Sequence, residues 1–308
     1  MNIISIDQIK NINFRPVVSV GMFDGVHIGH QQLLSCVVEK AKQLATSSAI
    51  ITFLNHPRLV LQPSDSHSIS LLQTNQERMK HLEQSGIDYI FTIDFSVSFS
   101  KLSPSIFFDL IVSKLNPMFM ILGYDNYFGR STASELNTIL NKGRYKQMEL
   151  CRIDDCVLFE GFKVSSTQIR TALIDANIPL ANTMLGYRYG FCGKIIHGYK
   201  QGRRLGFPTA NLEVDSLKLI PKKGVYAAKA TLGKQVLNCV VFIGERQTLG
   251  LADLTIEIHL FDFDNDIYSQ EIEVYLVDFI RDQQCFTSTK ELKNQIKHDC
   301  DEAKRILI

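Results

Sequence analysis

The hydrophobic positions change their period near residue 186. In the first half, short solid apolar runs alternate with stretches whose apolar residues recur every three or four positions. Val17–Val20, Ala49–Leu54, Tyr89–Ile93 and Phe119–Leu122 have strand length and predict buried strands. Leu33, Leu34, Val37, Val38 and Ala41 fall on one helical stripe. Thr74-Asn75-Gln76-Glu77 has the form of a capping box and predicts a helix that closes at Gly86. Ser103 followed by Pro104 marks the start of a helix through Phe107–Leu115. Strands alternating with helices predict a mainly parallel, Rossmann-like α/β sheet covered on both faces.

After about Gly186 the helical pattern gives way to β-rich runs. These are Tyr189–Ile196, Gly224–Ala230, Gln235–Ile243, Thr255–Asp262 and Ile272–Phe279, separated by Gly, Asn, Asp or Lys turns. Short strands at this spacing predict an antiparallel barrel. Ser288–Leu307 predicts a terminal helix with Leu292, Ile296 and Ala303 on its apolar side. The expected domains are therefore 1–185 and 186–308.

Composition narrows the classes. The 308 residues are 45% hydrophobic, enough for ordinary cores. The formal net charge of +1 gives no electrostatic reason to expect a nucleic-acid or membrane partner. No apolar run approaches the ~18 residues of a membrane span. The opening residues Met1–Asp7 lack the basic and apolar regions of a secretion signal. Seven cysteines, scattered and without C-x-x-C spacing, fit free thiols in the cytoplasm better than disulfides or a zinc site.

The densest chemical signal is Val20-Gly21-Met22-Phe23-Asp24-Gly25-Val26-His27-Ile28-Gly29-His30. A predicted strand feeds a glycine-rich turn (Gly21, Gly25, Gly29), then two imidazoles, then a helix. Backbone N–H groups at a helix N-terminus hold phosphates. The H-x-G-H spacing is the signature of α/β nucleotidyltransferases. Asp24 reads either as a turn residue or as a group that positions a metal-bound phosphate. Asn55-His56-Pro57-Arg58 follows a second strand, and Pro57 predicts an extended turn, which either aims Asn55 or Arg58 at the site or is a plain surface loop. Asp125, in Gly123–Arg130, is a carboxylate suited to a ribose or flavin-tail hydroxyl, or a plain turn aspartate. Ser165 and Gln168 form a capping box. Ser165, Ser166 and Thr167 put hydroxyls at that helix end, with Arg170 one turn on, which suits a triphosphate.

A second signal lies in the barrel half. Gly198, Gly202 and Gly206 punctuate a basic loop that ends in Pro208-Thr209-Ala210-Asn211. Thr209 and Asn211 fall on one side of an extended segment. With phosphate oxygens and waters they suffice for an octahedral Mg²⁺ shell, the alternative being a basic hairpin with an ordinary Pro-Thr turn. In Thr255–Phe263, Glu257 and His259 share one face, opposite Ile256, Ile258 and Leu260. A carboxylate there is either a general base for a substrate hydroxyl or part of a solvated strand face.

Taken together and in this order, the motifs resemble the bifunctional bacterial FAD synthetases, over nearly the whole chain. The resemblance implies an N-terminal nucleotidyltransferase domain that moves AMP from ATP to FMN. It also implies a C-terminal barrel of riboflavin-kinase type that phosphorylates riboflavin. By the same resemblance, His27 and His30 stabilise the ATP phosphates, helped by Gly21, Phe23, Asp24, Gly25 and Gly29. Ser165, Ser166, Thr167 and Arg170 contact the triphosphate, and Gly198, Gly202 and Gly206 belong to the kinase's phosphate loop. Asn55, Asp125 and Arg281 fall on the flavin side, Thr209 and Asn211 hold Mg²⁺, and Glu257 is the base. The implied partners are small molecules, in a monomer or transient oligomer. Some positions depart from the family pattern. Asn126 and Tyr127 follow the aspartate, and Ser131-Thr132-Ala133-Ser134 lacks a common glycine. The usual Asn-Arg-Pro-Thr reads Glu245-Arg246-Gln247-Thr248, and the usual Asp-x-Tyr-Gly reads Asp266-Ile267-Tyr268-Ser269. These bear on flavin affinity and loop geometry rather than on the reaction type.

Overall fold

The computed structural model describes residues 2–9, 12–61, 70–123, 148–153, 158–159, 162–197, 202, 205–248 and 251–308. They form two compact units, 1–69 with 75–164 and 70–74 with 165–308.

The first unit is built on β1 (Asn2–Ser5), β2 (Val17–Val20), β3 (Ser48–Phe53), β4 (Tyr89–Ile93), β5 (Phe119–Leu122) and β6 (Glu149–Arg152). Their order is β1-β4-β3-β2-β5-β6, and every pairing is parallel. Alternate residues of each strand enter opposite cores. Val18, Ala49, Ile51, Phe91 and Met120 pack with Phe107, Phe108 and Ile111 of α4 (Pro104–Leu115). Val17, Ile50, Ile90 and Ile121 pack with Leu33, Leu34, Val37 and Ala41 of α1 (Ile28–Gln43). Burial on both faces explains why these strands are solid apolar runs rather than alternating ones. The capping signals act as expected: Ser103 Oγ accepts from Ile106 N, and Pro104 occupies the first turn. The remaining helices are α2 (Pro57–Leu61) and α3 (Asn75–Gln84). β7 (Leu158–Phe159) and β8 (Phe162–Lys163) form a small antiparallel pair. From β2 the chain adds β3 and β4 on one side, then crosses to place β5 on the other. Ligands of such sheets bind at that reversal, beyond the carboxyl ends of the strands, where Gly21–His27 lies.

The second unit starts with α5 (Ser166–Ile174) and α6 (Ile178–Leu185). Six strands then close a barrel: β9 (Gly190–Ile196), β10 (Ala210–Val214), β11 (Gly224–Leu232), β12 (Gln235–Thr248), β13 (Leu251–Leu260) and β14 (Glu271–Asp282). All pairings are antiparallel. One face of the wall carries Val225, Ala227, Val240 and Phe261 against Cys300, Ala303 and Leu307 of the C-terminal segment, which contains α7 (Thr289–Ile306). The alternate residues, among them Tyr226, Val241, Ile256, Ile258 and Leu276, are buried on the opposite face and fill the interior. The division at 164/165 differs from the expected one at 185/186. Asn182 Nδ2 donates to Leu276 O on β14 (3.0 Å), and Lys222 N donates to Leu173 O (3.2 Å), so α5 and α6 pack with the barrel. Among the described residues, no helix is long and apolar enough to cross a membrane.

Ser269 stands where the family pattern has glycine, and its φ is +66°. The turn therefore keeps a left-handed residue despite the substitution. A side chain there costs about 1 kcal/mol relative to glycine. Ser269→Gly is expected to stabilise the fold by roughly 1 kcal/mol less what the unfolded chain gains in freedom, and so to raise the thermal unfolding midpoint. A lower midpoint in calorimetry contradicts this.

Candidate active sites

In the first unit, the turn after β2 has left-handed backbone at Phe23 (φ 53°), Gly25 (84°) and Val26 (33°). Glycine takes that conformation freely, whereas a β-branched valine does so only when its surroundings impose it. Phe23 and Val26 impose it by plunging into the core beneath α1. Gly21 leaves room for this packing, since a Cβ there would sit 3.0 Å from the tip of the Phe23 ring. Strained backbone concentrated in one turn at a sheet's ligand-binding edge marks a functional element.

The helix begins at Ile28, before the second histidine rather than after it. His27 is its N-cap, with Nδ1 accepting from His30 N at 3.4 Å, which assigns the His27 proton to Nε2. Gly29 and His30 lie in the first helical turn. The two imidazoles stack at 3.7 Å between centroids and 19° between planes. Phe23 packs edge-on against His30 at 5.4 Å. Burial pushes His27 down to about 4. Burial, and next the His27 charge, hold His30 well below the usual histidine range. Both rings are thus neutral at pH 7 and offer N–H donors without repelling each other. His30 Nδ1 is buried without a hydrogen-bond partner in the structure.

Asp24 is buried at 5% exposure. Near it lies Arg78 on α3, 1% exposed, which the sequence pattern does not single out. Its Nη1 donates to Met22 O (2.7 Å), and its Nη2 to Phe53 O (2.5 Å) and Asn75 Oδ1 (2.8 Å). Asn55 is exposed and donates from Nδ2 to Asp94 Oδ1 at 2.5 Å. Beside it, Phe53, Phe95 and Phe99 form a half-buried aromatic shelf with centroids 5.5 and 5.6 Å apart. Pro57 is not in an extended turn: it opens α2, where its missing N–H costs nothing. Arg58 is exposed. Asp125, Asn126, Tyr127 and Gly198 lie outside the described residues.

In the second unit, Ser165 caps α5, its Oγ accepting from Gln168 N at 3.3 Å. Ser166 and Thr167 follow in the first turn, and Arg170 Nε donates to Ser70 O at 2.9 Å. These four residues fold with the barrel unit.

The barrel residues converge. Thr209 Oγ1 donates to Glu257 Oε2 at 2.9 Å. Asn211 pairs directly with Glu257 across β10 and β13, and Thr255 Oγ1 donates to Asn211 Oδ1 at 3.4 Å. Ile256 and Ile258 take the interior, so Glu257 lies half-buried on the outer face, across from Phe242. His259, two residues on, contacts Pro208 O through Nδ1 at 2.8 Å. Gly202 allows the loop to close on this turn: a Cβ there would lie 2.4 Å from Phe207 O and 3.0 Å from Thr209 Oγ1. Gly206 has a φ of +88°. Next to Thr209 an open cleft of about 200 Å³ is lined by Pro208, Ala210, Leu260, Asp264, Asp266 and Tyr268, among others. The His197 ring packs on Tyr268 at 3.9 Å.

Arg281 gives two guanidinium nitrogens to Asp299, at 2.8 Å (Nε) and 2.7 Å (Nη2), which ties β14 to α7. Gln295 adds a hydrogen bond to the same carboxylate at 2.9 Å. The bidentate edge of Arg281 is thus taken within the protein.

A Rossmann-like sheet with a neutral histidine pair at a helix N-terminus, joined to a closed barrel with a Thr–Asn–Glu cluster, defines a nucleotide-dependent transferase with two sites. Residues 9–168 match the FAD synthetase family and residues 185–307 the riboflavin kinase family. The chain is 33% identical over 300 residues to the bifunctional riboflavin kinase/FMN adenylyltransferase of Bacillus subtilis, covering 96% of this chain and 94% of that one. It is 35% identical over 305 residues to the protein of the same name from Buchnera aphidicola of Schizaphis graminum, covering 97% and 96%. A crystal structure from Streptococcus pneumoniae, named a macrolide-efflux protein, superposes with a TM-score of 0.88 at 30% identity, covering 97% of each chain. The chain belongs to the bifunctional riboflavin kinase/FMN adenylyltransferase family.

Proposed function

We propose that this chain phosphorylates riboflavin to FMN at the barrel and then adenylylates FMN to FAD at the sheet, releasing pyrophosphate. The observation that carries the reading is the convergence of Thr209, Asn211 and Glu257 on one barrel face. A carboxylate held by a hydroxyl, beside a neutral amide, is what an alcohol nucleophile and a metal-bound nucleotide require.

In the kinase step, Glu257 accepts the proton of the ribityl hydroxyl as its oxygen attacks the γ-phosphorus of ATP, and ADP leaves. Thr209 and Asn211 offer hard, neutral oxygens, and no group of three or more His, Cys, Asp and Glu residues suited to a metal occurs among the described residues. That donor set fits Mg²⁺ held jointly with nucleotide phosphates and water. Bound there, Mg²⁺ supplies charge neutralisation at the transferring phosphoryl group.

In the second step, the FMN phosphate attacks the α-phosphorus of ATP, and no protein nucleophile is needed. His27 and His30 donate N–H groups to the phosphates alongside the backbone N–H groups of α1. The aromatic shelf beside Asn55 offers a stacking surface for the isoalloxazine. Arg281 contributes to the flavin side of the barrel by fixing, through Asp299, the segment that leaves β14. The described cysteines are all free thiols, which supports a reducing, cytosolic setting.

The test is a time course of the purified protein with riboflavin, ATP and Mg²⁺, with the flavins separated by chromatography. FMN followed by FAD is the expected result. FMN without FAD overturns the sheet assignment. No product from riboflavin, with FAD formed when FMN is supplied, overturns the barrel assignment.

A further inference from the structure

The first site must hold polyanions, yet its two histidines carry no charge at neutral pH, and a helix N-terminus provides only about half a charge. Arg78 lies directly behind the turn. Its guanidinium is held by Met22 O, Phe53 O and Asn75 Oδ1, all neutral acceptors, and its Nε is buried without a partner. Buried arginines are ordinarily paired with carboxylates because an isolated charge is costly to desolvate. Here burial lowers Arg78 to about 10, partly offset by Asp24, so the group stays cationic at physiological pH. Its three acceptors come from the turn after β2, the end of β3 and the start of α3. The charge is therefore fixed at the carboxyl edge of the sheet, where the surroundings screen it poorly.

Resting on the reading of the first site as the adenylyltransferase, we propose that Arg78 is its resident cation. It is a positioning residue that pins the phosphate-binding turn to β3 and favours entry of polyphosphate through its charge, without touching substrate. A fixed cation, set against the buried Asp24, is thus present at this edge before any metal arrives with the nucleotide. The buried charge is tolerated because three acceptors hold the guanidinium and Asp24 offsets part of its desolvation.

The experiment compares wild type with Arg78→Met and Arg78→Lys. It measures FMN-to-FAD kinetics, the binding of inorganic pyrophosphate by calorimetry, and riboflavin phosphorylation by the same chains as a check on folding. Arg78→Met is expected to raise the pyrophosphate Kd and the ATP KM by about 30-fold, as for a unit charge several ångströms away at intermediate dielectric. The expected change in kcat is much smaller, and the salt dependence of pyrophosphate binding becomes shallower. Arg78→Lys, which keeps the charge and loses the fork, is expected to recover most of the affinity. Unchanged affinity in Arg78→Met overturns the proposal. Equal losses in the Met and Lys variants also overturn it, because they leave only the structural pin. If Arg78→Met also loses kinase activity, the Lys variant decides: pyrophosphate affinity near wild type sustains the charge, and a loss greater than about tenfold refutes it. Wild type that binds pyrophosphate without making FAD refutes the adenylyltransferase reading while leaving the Arg78 comparison intact. Wild type that neither makes FAD nor binds pyrophosphate refutes both.

Discussion

Glu257→Gln is expected to lower kcat for riboflavin phosphorylation by about 10²- to 10⁴-fold, the usual worth of a general base, and to leave FMN-to-FAD conversion at its wild-type rate. Glutamine has nearly the same volume as glutamate. Its carbonyl oxygen still accepts the hydrogen bond that Thr209 Oγ1 now gives to Oε2. Ile256 and Ile258 keep β13 in register from the interior side. The variant thus removes a basic lone pair and a charge while preserving the backbone and the Thr209–Asn211 arrangement. KM for ATP should change by less than a few-fold, because uniform binding is not what a base provides. Retention of more than about a tenth of the kinase rate would remove Glu257 from the role of base. Loss of both activities together would instead point to a folding defect, and the second reaction of the same chain makes the two outcomes separable.

Much of this architecture is legible in the sequence, for physical reasons that also explain the gaps. Val17–Val20, Tyr89–Ile93 and Phe119–Leu122 are strands with the expected bounds because both faces are covered, so the apolar run equals the strand. β1 and β6 escape the pattern: they are edge strands, and Asn2 and Glu149 face solvent. α6 carries signals that would have revealed it, namely Asn177 as N-cap, Pro179 in the first turn and Gly186 at a φ of +78°. The compact units divide at 164/165, whereas the riboflavin kinase match starts at 185, because a change of hydrophobic period records where strands begin. It does not record which body a preceding helix packs on. Thr209, Asn211 and Glu257 were visible as motifs, but only the β10–β13 register unites them. Arg78 was invisible. Within Asn75–Gln84, a polar helix, an arginine reads as part of the solvated face, and only the fold shows it buried against two carbonyls.

His30→Ala reverses the pattern of Glu257→Gln: FAD formation from FMN should fall by about 10²- to 10³-fold, as when one donor to a developing charge is removed, while riboflavin is still converted to FMN. The state of the pair sets the pH behaviour. A buried imidazole stacked at 3.7 Å on another cannot take a proton near 6.5. Adenylyl transfer should therefore show no histidine inflection near pH 6.5, since burial holds both rings below the usual histidine range. An inflection near 6.5 that vanishes in His30→Ala would show the pair to be cationic during turnover. The same depression links to stability. The folded pKa of His27 lies below the unfolded value, so between about 6.5 and 4 the unfolded chain binds more protons. This contribution is fully present above pH 6.5 and is lost as the pH falls, by roughly 2 kcal/mol at pH 5. His27→Asn keeps a good N-cap and removes the titrating ring. Its first unit should thus lose less stability than wild type between pH 7 and 5. Parallel pH profiles for the two proteins in thermal unfolding would mean that His27 is already neutral in the unfolded chain or charged in the folded one, and the neutral-pair account of phosphate binding would go with it.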